Sequence, residues 1–132
     1  MTCFWDGLIQ GLGHDEIRNV LQLSSINTIS FIEGLKAHYT DLDNVVWNGN
    51  RLPTREKAEM REHIMGYDSS SAINGYDCSV CDPFLALVVQ LFEITICQNF
   101  NGSRMLYSNH IRGQYQLNFH NSTTHFTFQN RF

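Results

Sequence analysis

Two residues able to do covalent chemistry stand at opposite ends of the sequence, Cys3 and His125. Cys3 opens a stretch with helical spacing. A thiol at a helix N-terminus gains thiolate character, because the unpaired backbone N–H groups and the helix dipole favour negative charge there. The same N–H groups are donors for an oxyanion. A cysteine nucleophile needs a base, and His125, at the start of a predicted strand between Thr124 and Phe126, suits that role. The competing reading of Cys3 is a small buried hydrophobe, the usual condition of a free cysteine. Cys78 and Cys81 form a single C-x-x-C pair. A structural zinc site needs four ligands, and no second such pair exists. His120 and His125 are the nearest approach to a ligand pair, and His125 has the better use as a base. A redox C-x-x-C opens a helix after a strand, whereas Ser79 and Val80 fall in a predicted loop. Neither a metal nor an organic cofactor is expected.

The elements that must position these residues change character along the chain. Trp5, Leu8, Ile9 and Leu12 share one face of a helix starting near Cys3, with Gly11 and Gly13 able to end it. A second helix is predicted over Asp15 to Leu21, a third over Thr28 to Tyr39 and a fourth near Arg55 to Ile64. Trp47-Asn-Gly-Asn50 reads as a turn, and Asp68 to Gly75 as a loop. Asp82-Pro83 is expected to cap and open the most apolar helix, which should run through the centre of the domain. The period then changes to that of strands. Ile94 to Asn99, Met105 to Tyr107, Tyr115 to Phe119 and His125 to Phe128 are the candidates, with Phe100-Asn-Gly-Ser103 as a turn. Helices first and an antiparallel sheet last make an α+β arrangement.

The 132 residues suffice for one domain, expected to cover 1–132, and 42% hydrophobic content provides for a packed core. A formal charge of −4 argues against a binder of duplex nucleic acid, which would show a basic patch. No apolar run approaches the roughly 18 residues of a membrane span. Four cysteines are too few for a disulfide scaffold, and the N-terminus has no basic signal-peptide region, so a cytoplasmic setting is expected. Only 17% of residues are charged, which suits a domain cut from a longer protein.

Cys3-Phe-Trp-Asp-Gly-Leu-Ile9 resembles the nucleophile helix of the ovarian-tumour (OTU) family of papain-like cysteine proteases. Asp82 to Ile96 resembles that family's central helix running into its core strand. Phe100-Asn-Gly with Met105-Leu-Tyr107 looks like the hairpin that follows, and His125-Phe126 matches the closing His-aromatic pair. The likeness spans most of the chain in the same order, and the small size suggests a viral member excised from a polyprotein.

The resemblance implies an OTU-type fold, N-terminal helices on a small C-terminal antiparallel sheet. It also implies a cysteine peptidase removing ubiquitin or a ubiquitin-like modifier in the host cytoplasm, which also processes a viral polyprotein. Cys3 would be the nucleophile and His125 the general base. The sequence departs from the family in two places. Only Met1 and Thr2 stand where an Asp-Gly-Asn-like loop precedes the cysteine. Either the natural chain extends further or the oxyanion hole is built otherwise. Thr127 replaces the Asp or Asn two residues after the histidine; Asn130 would orient His125 only if a bulge brought it round. A modifier tail ending Arg-Gly-Gly calls for a carboxylate, and Asp77, Asp82 and Asp68 are candidates. Trp47 is either a substrate contact or a loop anchor, and His110 either approaches the substrate tail or is a surface histidine. Two rivals stand beside this reading, a protease confined to polyprotein sites and an inactive OTU-like ubiquitin-binding module.

Overall fold

A computed structural model describes residues 3–74, 81–122 and 125–132, with the side chains of all of these except 3, 73, 74 and 81. The spacing of Trp5, Leu8 and Leu12 does produce helix α1 (Cys3–Leu12), and all three side chains are buried. It stops at Gly13, whose φ of 85° is accessible to glycine at little cost and whose N–H donates to the Ile9 carbonyl at 2.9 Å. Helix α2 (His14–Leu21) follows at once and buries Ile17 and Leu21. Helix α3 (Thr28–Ala37) starts on a capping box in which Asn27 Oδ1 accepts from the Ser30 N–H and Ser30 Oγ accepts from the Asn27 N–H. Helix α4 (Thr54–Gly66) is mostly polar and buries only Met60 and Ile64. The expected loop after it contains a short 3-10 turn, Ser69–Asn74.

Helix α5 (Cys81–Phe92) is central as its composition demands, with every residue from Phe84 to Val89 fully buried. It begins one residue before the position at which Asp82 would cap it. The Asp82 carboxylate is therefore inside the first turn and free to accept a bond from elsewhere, which it does from Tyr107.

Six strands form one sheet in the order β2-β1-β4-β3-β5-β6. They are β1 (Val45–Trp47), β2 (Asn50–Arg51), β3 (Thr95–Phe100), β4 (Ser103–Asn109), β5 (Gln116–Asn121) and β6 (Phe126–Arg131). The α+β class holds, and two details differ from the sequence expectation. The sheet is mixed, because β5 crosses to the far side of β3 and runs parallel to it. It also recruits the first half of the chain, since Asn48-Gly49 closes a two-residue hairpin between β1 and β2 and β1 pairs with β4. Asn48 and Gly49 both take positive φ, 49° and 84°, as does the Asn101-Gly102 turn between β3 and β4. The β5–β6 ladder carries a bulge: Phe119 pairs with Phe128 and Asn118 with Asn130, so Gln129 has no partner.

Among the described residues one face of this sheet is buried and the other is half-buried to exposed. Ile96, Gln98, Tyr107, Asn109, Leu117, Phe119, Asn121 and Phe126 are buried beneath the helices. The alternate residues Asn99, His120 and Thr127 are exposed. Helix α1 lies over β6 and α5 over β3 and β4, with α2 and α3 packed on α1 and α4 on α5. No helix among the described residues is long and apolar enough to cross a membrane.

Candidate active site

Helix α1 and strand β6 lie against each other in a fixed register. At the start of both, the Phe4 and Phe126 rings meet edge to face with centroids 4.7 Å apart. A Cβ added at Gly7 would lie 3.2 Å from the Phe126 ring, and one at Gly11 would lie 3.1 Å from Phe128 and Leu117. The helix backbone therefore approaches the strand as closely as glycine permits. Cys3 is the residue before Phe4 and His125 the residue before Phe126. The two residues named for covalent chemistry, 122 positions apart in sequence, thus each precede one ring of the same aromatic pair. The Cys3 side chain lies outside the described residues, so its placement here is that of its backbone, the first residue of α1.

His125 sits in the turn between β5 and β6 and is exposed. Its backbone is held on both sides by Ser122, whose N–H donates to the His125 carbonyl at 2.8 Å and whose Oγ accepts from the His125 N–H at 3.1 Å. The turn is anchored further by the Asn101 N–H, which donates to the Asn121 carbonyl at 3.2 Å.

A second helix N-terminus opens on the same end. Trp5 packs edge to face on Phe84 with centroids 4.8 Å apart, and Tyr67 lies against both rings. These aromatics tie the first turn of α1 to the first turn of α5. A helix N-terminus favours developing negative charge.

Beside this end lies a cleft of about 260 Å³ lined by Trp47, Glu56, Glu59, Met60, His63, Asp82 and Pro83. Two residues singled out from the sequence, Trp47 and Asp82, meet here. The Trp47 ring stacks on Tyr107 at 6.0 Å and 4° between planes, and its Nε1–H is buried with no acceptor among the described residues. The carboxylates of Glu56 and Glu59 come from one face of α4, a contribution the sequence concealed within an ordinary solvent-facing charge pattern. Glu59 also accepts from Arg55 at 3.3 Å.

The other candidates fall elsewhere. Asn130 does not orient His125. The bulge at Gln129 sets it opposite Asn118, whose Nδ2 donates to Asn130 Oδ1 at 2.6 Å, and five residues of strand, about 16 Å, separate it from the turn. His110 follows β4 at the opposite end of the sheet and is exposed there; its N–H donates to the Asn44 carbonyl at 2.6 Å. Asp68 is engaged locally, since the Ser70 hydroxyl and N–H both donate to its carboxylate and hold it below the usual carboxylate range. Asp77 and Cys78 lie outside the described residues, as does the side chain of Cys81. Among the described residues no three His, Cys, Asp or Glu side chains gather as metal ligands would.

The sequence also gave no hint of a buried polar trio, Gln98, Tyr107 and Asn121, joined by hydrogen bonds at the His125 end of the sheet. Strand alternation alone could have put Gln98 on the same face as Ile96, but Gln is ordinarily assigned to the wet face. A scan against protein-family models and searches of curated proteins and of solved structures returned no match.

Proposed function

We propose that this chain is a cysteine peptidase of OTU-like type that hydrolyses isopeptide bonds to ubiquitin or a ubiquitin-like modifier. The observation that carries the reading is the register of α1 on β6, which sets the backbone of Cys3 at a helix N-terminus beside the turn bearing an exposed His125. In this reading His125 takes the Cys3 proton and the thiolate attacks the scissile carbonyl carbon. The oxyanion is stabilised by N–H groups at the start of α1. The imidazolium then protonates the leaving amine as the C–N bond breaks, leaving a thioester. Water, deprotonated by His125, hydrolyses that thioester and restores the thiol.

The cleft between Trp47 and α4 supports a substrate of this kind. Glu56, Glu59 and Asp82 present carboxylates to the arginine that precedes the two glycines of a ubiquitin-like tail, and Trp47 offers an aromatic wall. The reading brings with it a cytoplasmic site of action and, for a chain of viral origin, its own polyprotein as a second substrate.

Ubiquitin carrying an electrophilic C-terminus tests this directly. Wild type should form a covalent adduct that Cys3→Ala abolishes and His125→Ala slows by about 100-fold or more. Failure of the wild type to react with ubiquitin or any ubiquitin-like probe would reject the modifier assignment. Cleavage of polyprotein peptides would then identify a protease of narrower range, and a ubiquitin complex without adduct would identify a binding module.

A further inference from the structure

A directional hydrogen-bond chain crosses the buried face of the sheet from the first turn of α5 to the last residue of β5. Asp82 accepts from the Tyr107 hydroxyl, Gln98 Nε2 donates to the Tyr107 oxygen at 3.0 Å, and Asn121 Nδ2 donates to Gln98 Oε1 at 2.8 Å. Gln98 Nε2 also lies 3.6 Å from Met105 Sδ. Tyr107 is fully buried, and Gln98 and Asn121 are each 1% exposed. An ionised carboxylate only accepts. Tyr107 must therefore donate to it, Gln98 must turn its amide nitrogen to Tyr107, and Asn121 must turn its own nitrogen to Gln98. One charge at the cleft thus fixes the orientation of every group up to the edge of the His125 turn.

Two primary amides and a phenol on a core face are costly to desolvate, and residues of the same shape without polar atoms would fill the space at less cost. What such a network supplies is a single geometry. Asn121 is the residue at which that geometry is delivered. Its neighbour Ser122 makes both backbone contacts to His125, and it pairs directly with Phe126 across the ladder.

We infer that Asp82, Tyr107, Gln98 and Asn121 are positioning residues for His125, holding the Ser122–His125 turn so that the imidazole meets Cys3. The inference rests on the Cys3–His125 reading above. These residues act through the turn, and the carboxylate that drives the array belongs to the substrate cleft itself.

The test measures carbamidomethylation of Cys3 by iodoacetamide, followed by peptide mass spectrometry, in wild-type and His125→Ala backgrounds. Gln98→Met keeps the shape and removes every hydrogen bond of the side-chain amide. Tyr107→Phe removes only the hydroxyl and serves where the first variant fails to fold. Each should slow Cys3 by about tenfold with His125 present, a fraction of a general base's usual contribution, and leave the rate unchanged without it. Equal slowing in both backgrounds, or none in wild type, overturns the positioning role. If His125→Ala itself leaves Cys3 as reactive as in wild type, the Cys–His reading fails instead. Amide hydrogen exchange then judges the array alone. Faster exchange at His125 in Gln98→Met than in wild type supports it, and unchanged exchange overturns it.

Discussion

The two ends of the α1–β6 pair are built from the same helix and the same strand, yet they are held by opposite means. At the C-terminal end Arg131 joins several elements at once. Its guanidinium donates to the Leu12 carbonyl at 3.2 Å, pairs with Glu16 of α2 at 2.5 Å and lies 3.7 Å from the centroid of the Tyr115 ring. Tyr115 in turn donates to Glu16. A cation thus satisfies the carbonyls at the end of α1 while its counter-ion and aromatic partner fix where that end can sit. At the N-terminal end the described residues of these elements meet ring on ring, Phe4 on Phe126 and Trp5 on Phe84, with an exposed histidine at the rim. Charge locks the end away from Cys3 and His125. Apolar packing supports the end where the proposed reaction would need charge to change.

The largest disturbance of this division should come from its middle. Gly7→Leu places a side chain where even a Cβ would crowd the Phe126 ring, prying α1 off β6 and costing about 1–3 kcal/mol in a denaturant titration. Cys3 alkylation should slow with it, because the helix N-terminus and the His125 turn separate. A stable Gly7→Leu variant with wild-type Cys3 reactivity would mean that the register does not matter to the chemistry.

Arg131→Met removes the helix-end donor, the ion pair and the stacking together, for an expected loss of about 1–2 kcal/mol. Its effect on Cys3 alkylation in the folded protein should be small. Full loss of reactivity without unfolding would show that the locked end transmits position along α1, and would blur the contrast between the ends.

The mildest test is one of pH. Burial, reinforced by the bond to Glu16, raises the Tyr115 phenol above its usual value near 10. A phenol with a raised pKa in the fold contributes its full share below about pH 10, where both states are protonated. That share declines as pH rises further, because the unfolded chain ionises first. Wild type should therefore lose melting temperature above about pH 10 more steeply than Tyr115→Phe. Parallel pH profiles would indicate that the phenol is not under this constraint.

Much of this arrangement was legible in the residues. The i, i+3, i+7 spacing of Trp5, Leu8 and Leu12 specifies α1, and the two Asn-Gly pairs mark tight hairpins because both positions of the turn need positive φ. What escaped was long-range. Strands of two and three residues such as β1 and β2 are too short to show a period, and the parallel pairing of β5 with β3 depends on a crossover that no local pattern encodes. The site divides in the same way. Cys3 and His125 stand out by residue type, while Glu56 and Glu59 join the cleft only when α4 is folded beside Trp47. Asn130 was a plausible neighbour of His125 only as long as the register of β6 was unknown. Gln98 was invisible because the identity of a strand's inner face is set by its partners.

The bulge at Gln129 has a consequence for how the molecule behaves among its own copies. β6 is an outer strand, and a regular one would present an unbroken row of donors and acceptors to any extended chain beside it. The extra residue interrupts that row, and the last residues of the strand, Gln129, Asn130 and the cationic Arg131, are exposed. At the far border β2 is only two residues long and ends in Arg51. Both borders of the sheet are therefore poor templates for strand addition, which protects the protein from edge-to-edge aggregation at high concentration.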